Sequence, residues 1–263
     1  MPLHILLATQ RSGSGALGSL LDQNPDIGYL GELFHPDGIL ESDNYFAFLK
    51  NILKSNPDRG LPVSSKENFN DYIKFLTDKS EKKDLIIDIK YDSTHHFNGE
   101  WYAPSDTPFL LNFANEYNFK IIHLQRKNLL KKYLSGKLAE VNNIWHTADV
   151  DSIKVTTLKV DPSDLLSCLE YTDRQASQFD QFLLSNPNVF QLEYEEIFRT
   201  EGDIKEDALT PLAEFLCVDP IQLNGIQPVW KKQVKLALPE IIQNYEEVFA
   251  ALEHTKYFWM IRD

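Results

Sequence analysis

The segment Thr9-Gln10-Arg11-Ser12-Gly13-Ser14-Gly15 has the residue types of a phosphate cradle. It follows the apolar run 3–8 (LHILLA) and precedes Ala16, Leu17, Leu20 and Leu21 at helical spacing, so it reads as a strand-to-helix turn. Such a turn aims several backbone N–H groups at one point. The helix N-terminus adds a positive dipole, and Arg11 adds a fork suited to two anionic oxygens. An ordinary glycine-containing turn with a surface arginine fits the same residues. The GxxxxGK[ST] pattern is absent, because no lysine follows the glycines.

A second cluster, Arg126, Lys127, Lys131 and Lys132, places four cations within seven positions of an acidic chain. It directly follows the apolar run 119–124 (FKIIHL), and ligands of open α/β sheets bind beyond the carboxyl ends of strands. Arg126 is therefore placed for a second anionic group. Ser135 lies nine residues further, about two and a half helical turns along. A solvated basic helix face is the competing reading.

These residues need a sheet and helices to bring them together. Runs 85–89 (LIIDI) and 189–192 (VFQL) read, with 3–8 and 119–124, as four buried strands. Apolar spacing of three or four predicts helices over 45–53, 69–76, 108–117, 129–141, 209–216 and 239–252. Asp161 and Pro162 form an N-cap and first-turn pair for a long helix that Asn186 and Pro187 stop. Residues 142–160 show no sustained period and read as a mobile loop. The expected fold is α/β: a P-loop-like parallel sheet flanked by helices, with helical insertions, in one domain over 1–263.

With 39 acidic and 26 basic side chains the formal charge is −13, which excludes a broad grip on nucleic acid. Apolar stretches are too short for a membrane span. Cys168 and Cys217 stand 49 residues apart without CxxC spacing, consistent with reduced thiols and a cytoplasmic protein.

In this order the two basic elements resemble the cofactor apparatus of sulfotransferases that use 3′-phosphoadenosine 5′-phosphosulfate (PAPS). Arg11, Ser12, Gly13 and Ser14, with Gly15 and Ala16, are similar to the family's loop for the 5′-phosphosulfate. Arg126 and Ser135 are similar to its 3′-phosphate pair. An arginine-to-serine spacing of eight is commoner there and would select Lys127; Gly15 stands where Ser or Thr is usual. Leu192-Glu193-Tyr194-Glu195-Glu196-Ile197 resembles a family stretch whose tyrosine contacts adenine. Trp230-Lys231-Lys232-Gln233 and residues 240–247 resemble bacterial carbohydrate and nodulation-type members, which implies Lys231 and Lys232 as cofactor contacts.

Glu32, in Tyr29-Leu30-Gly31-Glu32-Leu33-Phe34-His35, resembles the glutamate base of trehalose-type members. Apolar Leu30, Leu33 and Phe34 beside it suggest a carboxylate suited to take a proton near neutrality. Lys90 resembles a lysine that stabilises charge on the leaving phosphate. His95, His96 and His35, with Asp92, are rival bases. Adjacent His95 and His96 should point apart, which disfavours a zinc site, and the transfer needs no metal. Trp101, Tyr102, Trp145 and Trp230 read as loop anchors or stacking platforms.

The resemblance implies PAPS as co-substrate, with Arg11, Glu32 and Lys90 catalytic. The partner is a small-molecule or carbohydrate acceptor, selected by residues 35–83 and 142–160. A nucleotide-binding module without turnover and an ATP-using P-loop-like kinase remain the alternatives.

Overall fold

The computed structural model describes residues 3–97, 103, 105–145, 147–149, 152–199, 202–205, 207–223, 226–232 and 236–262. Trp101, Tyr102 and Gln233 lie outside the described residues.

Five strands form one sheet: β1 (Leu3–Ala8), β2 (Ile27–Tyr29), β3 (Asp84–Lys90), β4 (Lys120–Gln125) and β5 (Val189–Glu193), in the order β2-β3-β1-β4-β5. Every pairing is parallel. The register brings Ala8 opposite both Lys90 and Leu124, so β1, β3 and β4 end level with one another. That edge carries the glycine loop after β1, Lys90 at the end of β3 and Arg126 just past β4.

Both faces of the sheet are covered, which is why β1 and β3 are buried throughout and read as unbroken apolar runs. Ile5, Leu7, Leu85, Ile87 and Ile89 pack on one face against Phe34, Phe69, Tyr72 and Phe113. Phe69 and Tyr72 come from α3 (Ser65–Lys79), and Phe113 comes from α4 (Phe109–Glu116). On the other face Leu6, Ile86, Ile122 and Leu124 meet Leu17, Leu20 and Leu21 of α1 (Ser14–Leu21). A third apolar cluster joins α5 (Leu129–Asn142) and α6 (Pro162–Leu183) to the C-terminal helices through Leu134, Leu165, Leu169, Val248 and Met260.

The other helices are α2 (Tyr45–Ser55), α7 (Tyr194–Ile197), α8 (Thr210–Leu216), α9 (Leu238–Ile241), α10 (Tyr245–Leu252) and α11 (Trp259–Arg262). Asp161 caps α6 as expected, accepting from the N–H groups of Ser163 at 2.8 Å and Asp164 at 3.2 Å.

Three expectations need correction. The fifth strand, β2, was not foreseen, because three residues have no period of their own and this strand pairs with β3 alone. The helix expected over 239–252 is two helices. Between them Leu158 donates to the Ile241 carbonyl at 2.7 Å and accepts from Gln243 N–H at 2.8 Å, taking backbone groups a continuous helix would use. The same bridge restrains the expected mobile loop. Asn142 also pins it, accepting from Lys154 N–H at 3.1 Å and Val155 N–H at 2.9 Å while donating to the Val155 carbonyl. Among the described residues, no helix is long and apolar enough to cross a membrane.

Candidate functional site

The loop after β1 is built from unusual backbone conformations. Arg11 and Gly13 adopt φ of 62° and 90°, and the Thr9 and Ser12 hydroxyls close the turn at 2.7 Å. Glycine at 13 is required twice over: the φ is left-handed, and a Cβ there would lie 2.5 Å from the Tyr194 ring. The first helical bond of α1 runs from Leu17 N–H to the Gly13 carbonyl at 3.0 Å. The N–H groups of Ser14, Gly15 and Ala16 precede it, as first-turn donors do in any helix. All three residues line a cavity of about 740 Å³. Ser12 is buried behind the loop instead.

Two guanidinium groups meet at the wall of this cavity. Arg11 donates from Nε at 3.1 Å and Nη2 at 2.9 Å to the Ser135 hydroxyl, and from Nη1 to the Trp145 carbonyl at 2.5 Å. Arg126 donates from Nη1 to the Arg11 carbonyl at 3.2 Å, and its Cζ lies 4.7 Å from the centre of the Tyr194 ring. Burial, and then the neighbouring Arg126 charge, hold Arg11 down to about 10 against a partial pull from Glu32. Burial lowers Arg126 as well. Its Nε is shut off from water and has no hydrogen-bond partner among the described residues. Ser135, expected beside Arg126, is thus engaged by Arg11, although both line the cavity.

The alternative cation, Lys127, turns away: its Nζ lies 2.6 Å from Gln125 Oε1 and 3.3 Å from Glu193. Lys131, Lys231 and Lys232 line the cavity with Tyr194, whereas burial pushes the Lys132 amine down to about 8. The exposed Trp145 and Trp230 also border it.

A second polar group meets the start of α1. Lys90, with a side chain only 3% exposed, has its ammonium 2.7 Å from Ser14 Oγ, 2.5 Å from Asp88 Oδ1 and 3.1 Å from Glu32 Oε1. Glu32 therefore faces an ammonium. The apolar surroundings expected for it lie elsewhere, because Leu33 and Phe34 are directed into the core and Leu30 packs against it. Asp88 and its partner Tyr29, whose hydroxyl donates at 2.9 Å, were missed. The signal was present: side chains at i and i+2 of a strand share a face, which pairs Asp88 with Lys90.

Of the rival bases, His35 lines the cavity and accepts from Asp37 N–H at 3.3 Å. His95 and His96 do not line it. Their rings do not point apart as expected: the centroids are 4.0 Å apart, because His95 Nδ1 turns to the Asp92 carbonyl while His96 packs edge-on to Phe46. Among the described residues, no group of three His, Cys, Asp or Glu side chains is placed to hold a metal ion.

The cavity can therefore hold a ligand with separated anionic groups at one end, against two arginines and a helix N-terminus. Beside that helix N-terminus it presents a carboxylate and an ammonium to a reacting atom. No protein-family model matches the chain, and no curated protein matches it. Among solved structures, it aligns with the crystal structure of a sulfotransferase from Alicyclobacillus acidocaldarius at 15% identity and a TM-score of 0.46, over 100% of this chain and 96% of that one.

Proposed function

We propose that the chain is a sulfotransferase, working as one catalytic unit, that moves a sulfuryl group from PAPS to a hydroxyl of a carbohydrate or small metabolite. One observation carries this reading. Arg11, Arg126 and the start of α1 converge on the same 740 Å³ cavity as the Lys90–Glu32 pair. The residues fit the co-substrate, because two buried guanidiniums and the start of α1 border one cavity, which suits a ligand with more than one phosphate.

Arg11 and the N–H groups of Ser14 to Ala16 would hold the 5′-phosphosulfate, and Arg126 the 3′-phosphate. Tyr194 backs the arginine and borders the base. Bound PAPS supplies the sulfuryl group, exchanging its sulfur–oxygen bond to phosphate for one to the acceptor. Glu32 takes the acceptor's hydroxyl proton, and Lys90 offsets the charge left on the phosphate oxygen. Lys131, Lys231 and Lys232 add positive potential that favours a polyanion in an acidic chain.

The test begins with adenosine 3′,5′-bisphosphate, which should raise the melting temperature more than ATP, AMP or NAD does. Acceptors are then screened with labelled PAPS. Glu32→Gln should keep affinity for adenosine 3′,5′-bisphosphate near wild type and lower turnover by about 10² to 10⁴. A Glu32→Gln variant with wild-type turnover would transfer the role of base to His35, the histidine that lines the cavity.

A further inference from the structure

Asp88 does not line the cavity, yet it holds both groups that would do the chemistry there. A lysine ammonium has three N–H donors: Lys90 donates to Asp88 and Ser14 and forms an ion pair with Glu32. These partners differ in access. The Asp88 side chain is wholly buried, whereas that of Glu32 is 31% exposed and faces the cavity.

The second Asp88 oxygen accepts from the Tyr29 hydroxyl at 2.9 Å. Burial, and then the Asp88 charge, push that phenol well above its ordinary value, so Tyr29 stays a donor. The backbone acts too: Asp88 N–H donates to the Gly31 carbonyl at 3.0 Å, and Gly31, at φ 72°, makes the turn that delivers Glu32. One residue thus fixes the ammonium through its side chain and the carboxylate through its main chain.

We propose that Asp88 is a positioning residue for sulfuryl transfer, seating Lys90 between the phosphate loop and Glu32 with Tyr29 as its strut. The proposal rests on the sulfotransferase reading of the cavity. It explains how Lys90 can serve an incoming anionic oxygen without leaving its place. The Glu32 side of the ammonium is the open side, and the bond to Asp88 anchors the ammonium while an anionic oxygen approaches there. A carboxylate that only neutralised a buried lysine would not need the Tyr29 bond.

Asp88→Asn keeps the shape and removes the charge; Tyr29→Phe removes the strut alone and guards against a misfolded first variant. Two probes are used on the whole chain: calorimetry with adenosine 3′,5′-bisphosphate, and release of labelled sulfate from PAPS across pH. Asp88→Asn should bind adenosine 3′,5′-bisphosphate within about threefold of wild type and lose on the order of 10² in kcat. Its alkaline limb should move to lower pH, because the ammonium has lost its buried counter-charge. Part of the rate should return as the pH is lowered. Tyr29→Phe should shift kcat and the limb in the same directions, but less.

Wild-type kcat and limb in folded variants with normal nucleotide binding would overturn the positioning role alone. A wild-type chain that neither binds adenosine 3′,5′-bisphosphate nor cleaves PAPS would overturn the sulfotransferase reading and this role with it.

Discussion

Replacing Arg126 with methionine should make the protein more stable and, on the function proposed above, should remove the contact to a 3′-phosphate. Methionine keeps an unbranched chain in the same space and deletes the charge. The native guanidinium gains a bond to the Arg11 carbonyl, of the order of 1.5–3 kcal/mol for a charged donor, and a stack on Tyr194 of about 0.5–2 kcal/mol. Against these stand an unpartnered Nε, at about 1–3 kcal/mol, and removal of part of the charge from water, at several more.

Repulsion from Arg11 adds to the cost. Burial first, and then the Arg126 charge, hold Arg11 down to about 10, below its ordinary value. The group therefore opposes folding at every pH below 10, and relief comes only as the pH rises above 10, the Arg126 part being what Arg126→Met removes. At pH 7.5 this cost is full and constant. The balance favours Arg126→Met by about 1–2 kcal/mol, or roughly 2–6 °C in melting temperature.

Scanning calorimetry in buffer free of phosphate and sulfate tests the first half. Addition of adenosine 3′,5′-bisphosphate tests the second: at a hundredfold excess over Kd the wild type should gain about 2.7 kcal/mol, and Arg126→Met far less. Lys127→Met is the control, and should retain the ligand response because Lys127 is paired outside the cavity. An Arg126→Met protein that melts lower than wild type and still responds fully to the nucleotide would refute the argument on both counts.

Gly13→Ala should cost about 2–4 kcal/mol in urea unfolding, from the left-handed φ of 90° and the 2.5 Å approach to Tyr194. Adding Tyr194→Ala should recover the contact part and leave the conformational part. Stability should also fall on acidification. Burial holds His123 down to about 4, so its contribution is complete above pH 6.5 and is lost as the pH falls toward 4; the urea midpoint should drop across that window, and less in His123→Gln.

Local patterns were legible in the sequence, and long-range demands were not. The run Leu3–Ala8 declared itself a buried strand because all six of its residues are buried. Asp161-Pro162 marked the start of α6 because a cap acts within three residues. By contrast, β2 exists through its pairing with Asp84, Leu85 and Ile86, far along the chain. The break between α9 and α10 depends on Leu158, which lies about eighty residues upstream. His95 and His96 were misread for the same reason, since Phe46 decides where one of the rings goes.

The site divides along the same line. Glycine, serine and arginine in a seven-residue turn carry their own geometry, so Arg11 to Ala16 could be placed from sequence. The state of Glu32 could not, because its flanking Leu33 and Phe34 face the core while its own carboxylate meets Lys90, 58 residues later. Such departures from ordinary folding rules collect at one place. Arg11 and Gly13 have positive φ, Arg126 Nε has no acceptor, two guanidiniums are adjacent, and a buried lysine faces two carboxylates. The costs at Arg126 and Lys90 would be relieved by an apolar or uncharged substitution, and the sheet register brings these groups to the level ends of β1, β3 and β4. A fold selected for stability alone would have no reason to concentrate these costs around one cavity, whereas the polyanion proposed above would offset the charge of both arginines.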